Sequence, residues 1–315
     1  MILLVQYTLL YAAVLTLVAL GGCYSEHSGV INLGLEGIMV MGAMGGAFAM
    51  KFLTAAGVTS PLTIIAAVII VSMAIGLIYS LLLAVASVTF KADQTIVGTA
   101  LNLLGTAAAT VIVKAVNTSA SIDNVSSVVE YIEGKKAFIF KIGTLEMNWL
   151  VPVAAVILVI AYIVLYKTKF GLRLMACGEH PQAADSVGIN VYKMRYAGVM
   201  ISGALGGLGG VMYIIVGASE WKFEYGVAGF GFLSLAVMIF GQWKPGRIAL
   251  AALLFGLFRA LSNVYPGIDF LANLNLNSAI YNMMPYVISL IILAFTSGKS
   301  RAPKAEGIPY DKGER

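Results

Sequence analysis

The stretch Leu62–Val88, LTIIAAVIIVSMAIGLIYSLLLAVASV, runs for 27 residues without one Asp, Glu, Lys or Arg. A hydrocarbon core about 30 Å thick takes roughly 20 residues of helix to cross. Backbone polar groups in lipid must bond within their own segment, so a continuous apolar run of this length reads as a transmembrane helix. Eight further runs follow the same logic: Ile2–Leu20, Gly37–Phe52, Thr95–Val113, Trp149–Tyr166, Tyr196–Gly217, Tyr225–Phe240, Ile248–Val264 and Ala279–Thr296. None alternates in the ten-residue fashion of a membrane barrel strand. The chain is 60% apolar and 11% charged, and its mean hydropathy is +0.91. These values exclude an ordinary soluble enzyme. The fold class is all-α: a polytopic membrane protein of about nine transmembrane helices. Residues 1–298 form the membrane domain and 299–315 a basic tail. The first run lacks a basic leading region and is read as a retained span rather than a signal peptide.

Basic residues orient the spans. If the tail is cytoplasmic, 13 Lys and Arg face the inner side and 6 the outer, with Arg259 left inside a span. The excess of cytoplasmic positive charge places the N-terminus outside and the C-terminus inside the cell (inner) membrane. The net charge of +5 then sits where anionic lipid attracts it and calls for no nucleic acid. Cys23 and Cys177 are too few for a disulfide framework, and Cys177 with His180 is too small a set for a zinc site. No metal and no cofactor is expected.

Three segments break the apolar pattern. The outer loop 117–148 is too short for a catalytic domain; it reads either as an interfacial helix or hairpin for an external partner, or as a long connection. The inner loop 167–195 is far longer than a turn requires. Within it Glu179–Asp185 reads as a short helix, with Pro181 in its first turn and Gly188 beyond its end, and flanking Gly171 and Gly178 would allow sharp backbone turns. A short helix with Ala183 and Ala184 offers little apolar area to a bilayer and suits a groove in another protein. The third segment, Cys23–Glu36, carries Glu26, Asn32 and Glu36 among glycines. It is read as a broken helix lining a cavity, or as an ordinary loop with Glu36 at a helix N-terminus.

Polar residues inside the membrane are candidates for the solute path. Asn102 lies mid-span, where pore lining and interhelical hydrogen bonding are both open. With Asn32 and Glu36 it forms the candidate substrate path. Gly203, Gly206, Gly207 and Gly210 give two overlapping GxxxG spacings, which suit tight helix packing. Arg259 would snorkel outward or pair with Asp269. Gly29–Val30, Gly34, Met41 and Gly45 echo Gly226–Val227, Gly231, Met238 and Gly241, a possible inverted repeat. Gly298–Lys299–Ser300 resembles the end of a phosphate loop, but residue 293 is Leu and no strand precedes it. With no nucleotide site and no row of buried carboxylates, any engine belongs to another subunit.

Five ordered blocks, SGVINLGLEGIMVMGA (Ser28–Ala43), DQTIVGTALNLL (Asp93–Leu104), FGLRLMACGEHPQAADSVGINV (Phe170–Val191), ISGALGGLGG (Ile201–Gly210) and GFGFLSLAVMIFGQWKPGRI (Gly229–Ile248), resemble the branched-chain amino acid and ribose-type permeases of bacterial ABC importers. Ile31–Asn32–Leu33–Gly34–Leu35–Glu36–Gly37 is similar to the nucleoside branch. The resemblance implies a second, homologous permease subunit, two cytoplasmic ATP-binding subunits (or one fused ATPase) and an extracytoplasmic solute-binding protein. It implies that Gly171–Gly188 couples to the ATPase, with Glu179, Pro181, Ala183 and Ala184 at its centre. The solute would pass unchanged, so the chain would be no enzyme. Other cargoes are a simple sugar or a branched-chain amino acid, and an ion-coupled secondary transporter is the alternative of a different class.

Overall fold

A computed structural model of the chain describes residues 2–143, 145–267, 278–296 and 302–313. Asp269 and the segment Gly298–Lys299–Ser300 lie outside the described residues. The described chain is mostly helical: α1 (Ile2–His27), α2 (Leu35–Ala55), α3 (Pro61–Ala84), α4 (Gln94–Ala120), a short α5 (Ile132–Lys136), α6 (Leu150–Lys167), α7 (Lys169–Glu179), α8 (Pro181–Ser186), α9 (Val191–Gly217), α10 (Phe230–Phe240), α11 (Pro245–Val264) and α12 (Ser278–Thr296). Among the described residues seven helices are long and apolar enough to cross a membrane, and Phe230–Phe240 is a shorter apolar helix.

Local chemistry sets several boundaries. Pro61, Pro181 and Pro245 each occupy a first turn, where the missing N–H costs nothing. Asp93 accepts from the N–H groups of Thr95 and Ile96, both at 2.9 Å, and starts α4; Asn190 accepts from Lys193 N–H at 2.9 Å and starts α9. Such caps contribute about 1 kcal/mol each. The last turn of α3 widens into a π-helical turn, Val85–Thr89.

Helix α9 is the axis of the bundle and packs against α1, α2 and α3, while α1 also packs against α11. In lipid the apolar effect does not separate helix from helix, so close backbone contact carries the association. The α9 glycines make that contact. A Cβ added at Gly203 would lie 2.1 Å from Ser80 Oγ, at Gly206 2.9 Å from Ile38, at Gly207 2.3 Å from the Ser72 carbonyl, and at Gly210 1.9 Å from the Met39 carbonyl. Gly42 of α2 would meet the Gly207 Cα at 2.2 Å.

The loop between α4 and α6 holds α5 and three short strands, β1 (Val128–Glu130), β2 (Ile139–Ile142) and β3 (Leu145–Asn148). β2 and β3 form an antiparallel hairpin, and β1 pairs antiparallel with β4 (Glu220–Lys222) after α9. This cap covers one end of the bundle, beside Gln6 and Tyr7 near the start of α1. The opposite end gathers the end of α1, the α10–α11 turn, α7–α8 and residues 302–313.

Three expectations are corrected. The first span continues to His27 instead of stopping at Leu20. Its last turn is polar, yet Glu26 accepts from the Trp243 indole N–H at 2.5 Å and Ser25 donates to the Val30 carbonyl at 2.7 Å, so burial is compensated. The seventh span is not helical from Tyr225: a 3₁₀ turn, Phe223–Tyr225, and an irregular stretch precede α10. Gly171 and Gly178 are not turn residues. Both lie inside α7, where a Cβ would come within 2.2 Å of the Val164 carbonyl and 2.4 Å of the His27 carbonyl, respectively.

Candidate functional site

Two interruptions of the helical pattern meet inside the bundle. The first, residues 28–34, follows α1; Gly29 has φ +92 and Val30 is fully buried. The second precedes α10; Gly226 has φ +59, Val227 is fully buried, and Gly229 is left-handed at φ +78. Only a residue without Cβ takes these conformations cheaply. Eleven residues long, α10 spans about 16 Å at the helical rise, half of a hydrocarbon core of about 30 Å. It ends at the turn where the Trp243 indole meets Glu26.

Glu36 joins the two interruptions. From the first turn of α2 its carboxylate accepts from Gly229 N–H at 2.8 Å and from Gly231 N–H at 2.7 Å. It thereby caps the N-terminus of α10, a helix nearly two hundred residues away in the chain. Free N–H groups at a helix start favour a negative partner, and here the partner comes from another helix. Gly231 packs so closely that a Cβ there would lie 2.4 Å from Glu36 N.

Asn102 and Asn32 hold the first interruption. Asn102 Oδ1 accepts from Gly37 N–H at 2.9 Å and its Nδ2 donates to the Leu33 carbonyl at 2.8 Å. Asn32 Oδ1 accepts from Gly34 N–H at 3.1 Å and its Nδ2 donates to Ser202 Oγ of α9 at 2.8 Å. Gln94 adds a further strut, accepting from Ile31 N–H at 2.7 Å. The structure thus brings Glu36 and Asn102 together beside one groove, while Asn32 is fully buried behind it.

That groove, of about 670 Å3, is lined by Glu36, Asn102, Thr99, Thr106, Thr110 and Phe232, among others. Its volume falls in the range of small-molecule sites, roughly 300–1,000 Å3. The hydroxyls of α4 line one wall, and Phe232 of α10, 51% exposed, stands in the other. At its capped end Glu224 bonds Lys222 and Lys114, at 2.9 and 3.0 Å, and the two ammonium groups hold its carboxyl down to about 2. The three threonines and Phe232 were not singled out in the sequence; the spacing of Thr99, Thr106 and Thr110, two turns and then one along a single face of α4, was the available signal. Arg259 neither snorkels outward nor stands alone. Its guanidinium lies over the rings of Tyr11 and Phe230, 5.9 and 5.5 Å from their centroids, a geometry that stabilises the charge.

At the other end α7 and α8 project from the bundle. Pro181 and Ala184 face inward, with Ala184 in a small apolar cluster with Cys177, Val191 and Tyr310. Glu179, Gln182, Ala183 and Val187 are exposed, and Gly188, at φ +83, ends the helix. Burial pushes the Cys177 thiol up to about 11. Among the described residues no three His, Cys, Asp or Glu side chains cluster as a metal ion would need.

A family model described as the permease component of the branched-chain amino acid transport system matches residues 4–295. The chain is 40% identical to the guanosine ABC transporter permease protein NupQ of Bacillus subtilis, over 99% of this chain and 97% of that one. It is 39% identical to the nucleoside ABC transporter permease protein NupC of Lactococcus lactis, over 99% and 97%. It is also 29% identical to the nucleoside ABC transporter permease protein NupB of the same organism, over 55% and 47%. No solved structure matches the chain. On this evidence the chain is a multi-pass membrane protein that belongs to the branched-chain amino acid transport permease family.

Proposed function

We propose that this chain is a transmembrane permease subunit of an ATP-driven importer of nucleosides. The observation that carries the reading is its similarity, over almost the whole of both chains, to two relatives named as guanosine and nucleoside permeases. The groove gives the reading a physical site. A nucleoside presents hydroxyls to one wall, where Thr99, Thr106, Thr110 and Asn102 stand, and a planar base to the other, where Phe232 stands. An aromatic ring gives a base a stacking partner of any sequence, and the start of a half-helix is a recurrent place for solute sites. The exposed outer edge of the groove, including Leu103 and Val111, faces a second, homologous permease subunit across the path. NupB and NupC, two permeases of one organism, fit such a pair.

The topology completes the proposal. Alongside the seven long helices, α12 and the α10 segment with its irregular start make nine crossings, with the N-terminus outside and the C-terminus in the cytoplasm. The matching Gly29–Val30 and Gly226–Val227 interruptions, each before a helix start, support an inverted repeat. The cap of short strands receives a solute-binding protein, and α7–α8 receives two ATP-binding subunits. ATP is hydrolysed there, and the permease itself performs no bond chemistry. Glu179 and Ala183 stand on the docking face, so Ala183→Trp uncouples hydrolysis from uptake.

The decisive experiment is uptake of a radiolabelled nucleoside panel by the reconstituted complex, with sugars and branched-chain amino acids as competitors. Uptake that persists without the ATPase subunits, or that sugars abolish and nucleosides do not, refutes the proposal.

A further inference from the structure

Residues 302–313 carry Lys304 and Lys312, but they do not hang in solvent as a charged tail. The segment lies along the end of the bundle, with Pro303, Ala305 and Tyr310 buried. Ala305 N–H donates to the Gly178 carbonyl of α7 at 2.8 Å. Tyr310 packs against Ala184 of α8 and Cys177 of α7, with its ring edge-on to Tyr192 of α9 at 5.3 Å. Arg195 of α9, 1% exposed, donates to the Ile308 carbonyl at 2.8 Å.

The same twelve-residue segment also touches the interruption after α1. Gly307, at φ +76, sits where a Cβ would lie 2.8 Å from Ile31. Glu306 shares a side-chain hydrogen bond with Glu26, in the last turn of α1. Asp311 pairs with Lys91, just ahead of α4. One face of the strap therefore grips α7–α8, and the other grips the residues that lead into Asn32, Glu36 and the start of α4.

We propose that residues 302–313 form a second arm of the coupling element, carrying displacement of α7–α8 by the ATPase to the interruption at residues 28–34. This rests on the reading of α7–α8 as the ATPase-docking element. The direct route from α8 to the groove runs through Gly188 and Asn190 into α9. The strap offers a parallel route that bypasses that glycine hinge. Tyr310 and Gly307 are positioning residues at its two contacts: Tyr310 meets the driven helix and Gly307 meets the driven loop.

The test uses the reconstituted complete transporter and measures nucleoside taken up per ATP hydrolysed, together with co-purification of the ATPase subunits. Tyr310→Ala and Gly307→Val are each expected to lower that ratio at least tenfold while assembly and basal hydrolysis stay within about twofold of the parent, and Tyr310→Phe restores the ratio. Trypsin cleavage at Lys304 in the assembled complex reports strap release. A released strap with an unchanged ratio overturns the proposal, and so does loss of assembly in both variants, which would make the strap a folding element only. A parent complex that takes up no nucleoside with ATP would instead sink the assignment of function, a result distinguishable from either.

Discussion

Replacing Glu36 by Gln tests the junction between the two interruptions. The parent carboxylate accepts from Gly229 and Gly231 at 2.8 and 2.7 Å, one N–H to each oxygen. The amide keeps one acceptor and turns a donor toward the other N–H, so one of two bonds is lost and replaced by a donor facing a donor. A hydrogen bond to a charged group contributes about 1.5–3 kcal/mol net. Taking about 2 kcal/mol, and 1.36 kcal/mol per factor of ten, opening of the first turn of α10 becomes about 30-fold more frequent. Amide hydrogen exchange of the reconstituted protein, followed by peptides covering residues 226–235, reads that opening directly. The expected result is faster exchange confined to that peptide, with α9 unchanged, and slower nucleoside uptake. Exchange within twofold of the parent would refute the claim that Glu36 holds the half-helix.

Other substitutions follow from the same geometry. Asn102→Leu leaves the Gly37 N–H and the Leu33 carbonyl without their partner, at about 1–3 kcal/mol for each orphaned group; thermal unfolding in detergent should shift down and uptake fall together. Gly207→Val drives a side chain into the Ser72 carbonyl and Gly42, and overpacking of that kind costs about 1–3 kcal/mol or more; size-exclusion chromatography should show loss of the monodisperse species. Strap docking depends on pH through Glu306, whose carboxyl burial pushes up from 4.5 to about 7 while the bond with Glu26 tempers the rise. The titratable group that faces it is Glu26 of α1. Because the docked value is the higher one, docking is fully favoured below about 4.5 and is lost as pH climbs through about 7; trypsin sensitivity at Lys304 should rise over that window in the parent and stay flat in Glu306→Gln.

The long helices were legible because continuous apolarity leaves the backbone no other form in lipid. The course of the seventh span was not. Tyr225–Phe240 is apolar throughout, and what breaks it is positive φ at Gly226, Ala228 and Gly229, in a stretch whose N–H groups meet Glu36 from another helix. The polar end of α1 misled for the reverse reason: Glu26 looks unfit for a buried helix until Trp243, 217 residues away, supplies its partner. One of the two readings of Glu36 put it at a helix start; it does lie in the first turn of α2, but its carboxylate also takes the N–H groups at the start of α10, which nothing local announces. In the last segment the basic residues dominated the reading, whereas its position is set by Pro303, Ala305 and Tyr310, whose neighbours only the fold brings near. The groove residues were half legible. Asn102 stood out as an amide in an apolar run, while Phe232 is one aromatic among 14 phenylalanines and nothing local marks it.

The carboxylate bridge between α2 and α10 also bears on how the molecule can move. It ties the first turn of α2 to the start of α10, two helices from distant parts of the sequence. Because acceptor and donors sit on different helices, neither helix start can be displaced without breaking the charge-assisted bonds that hold the other.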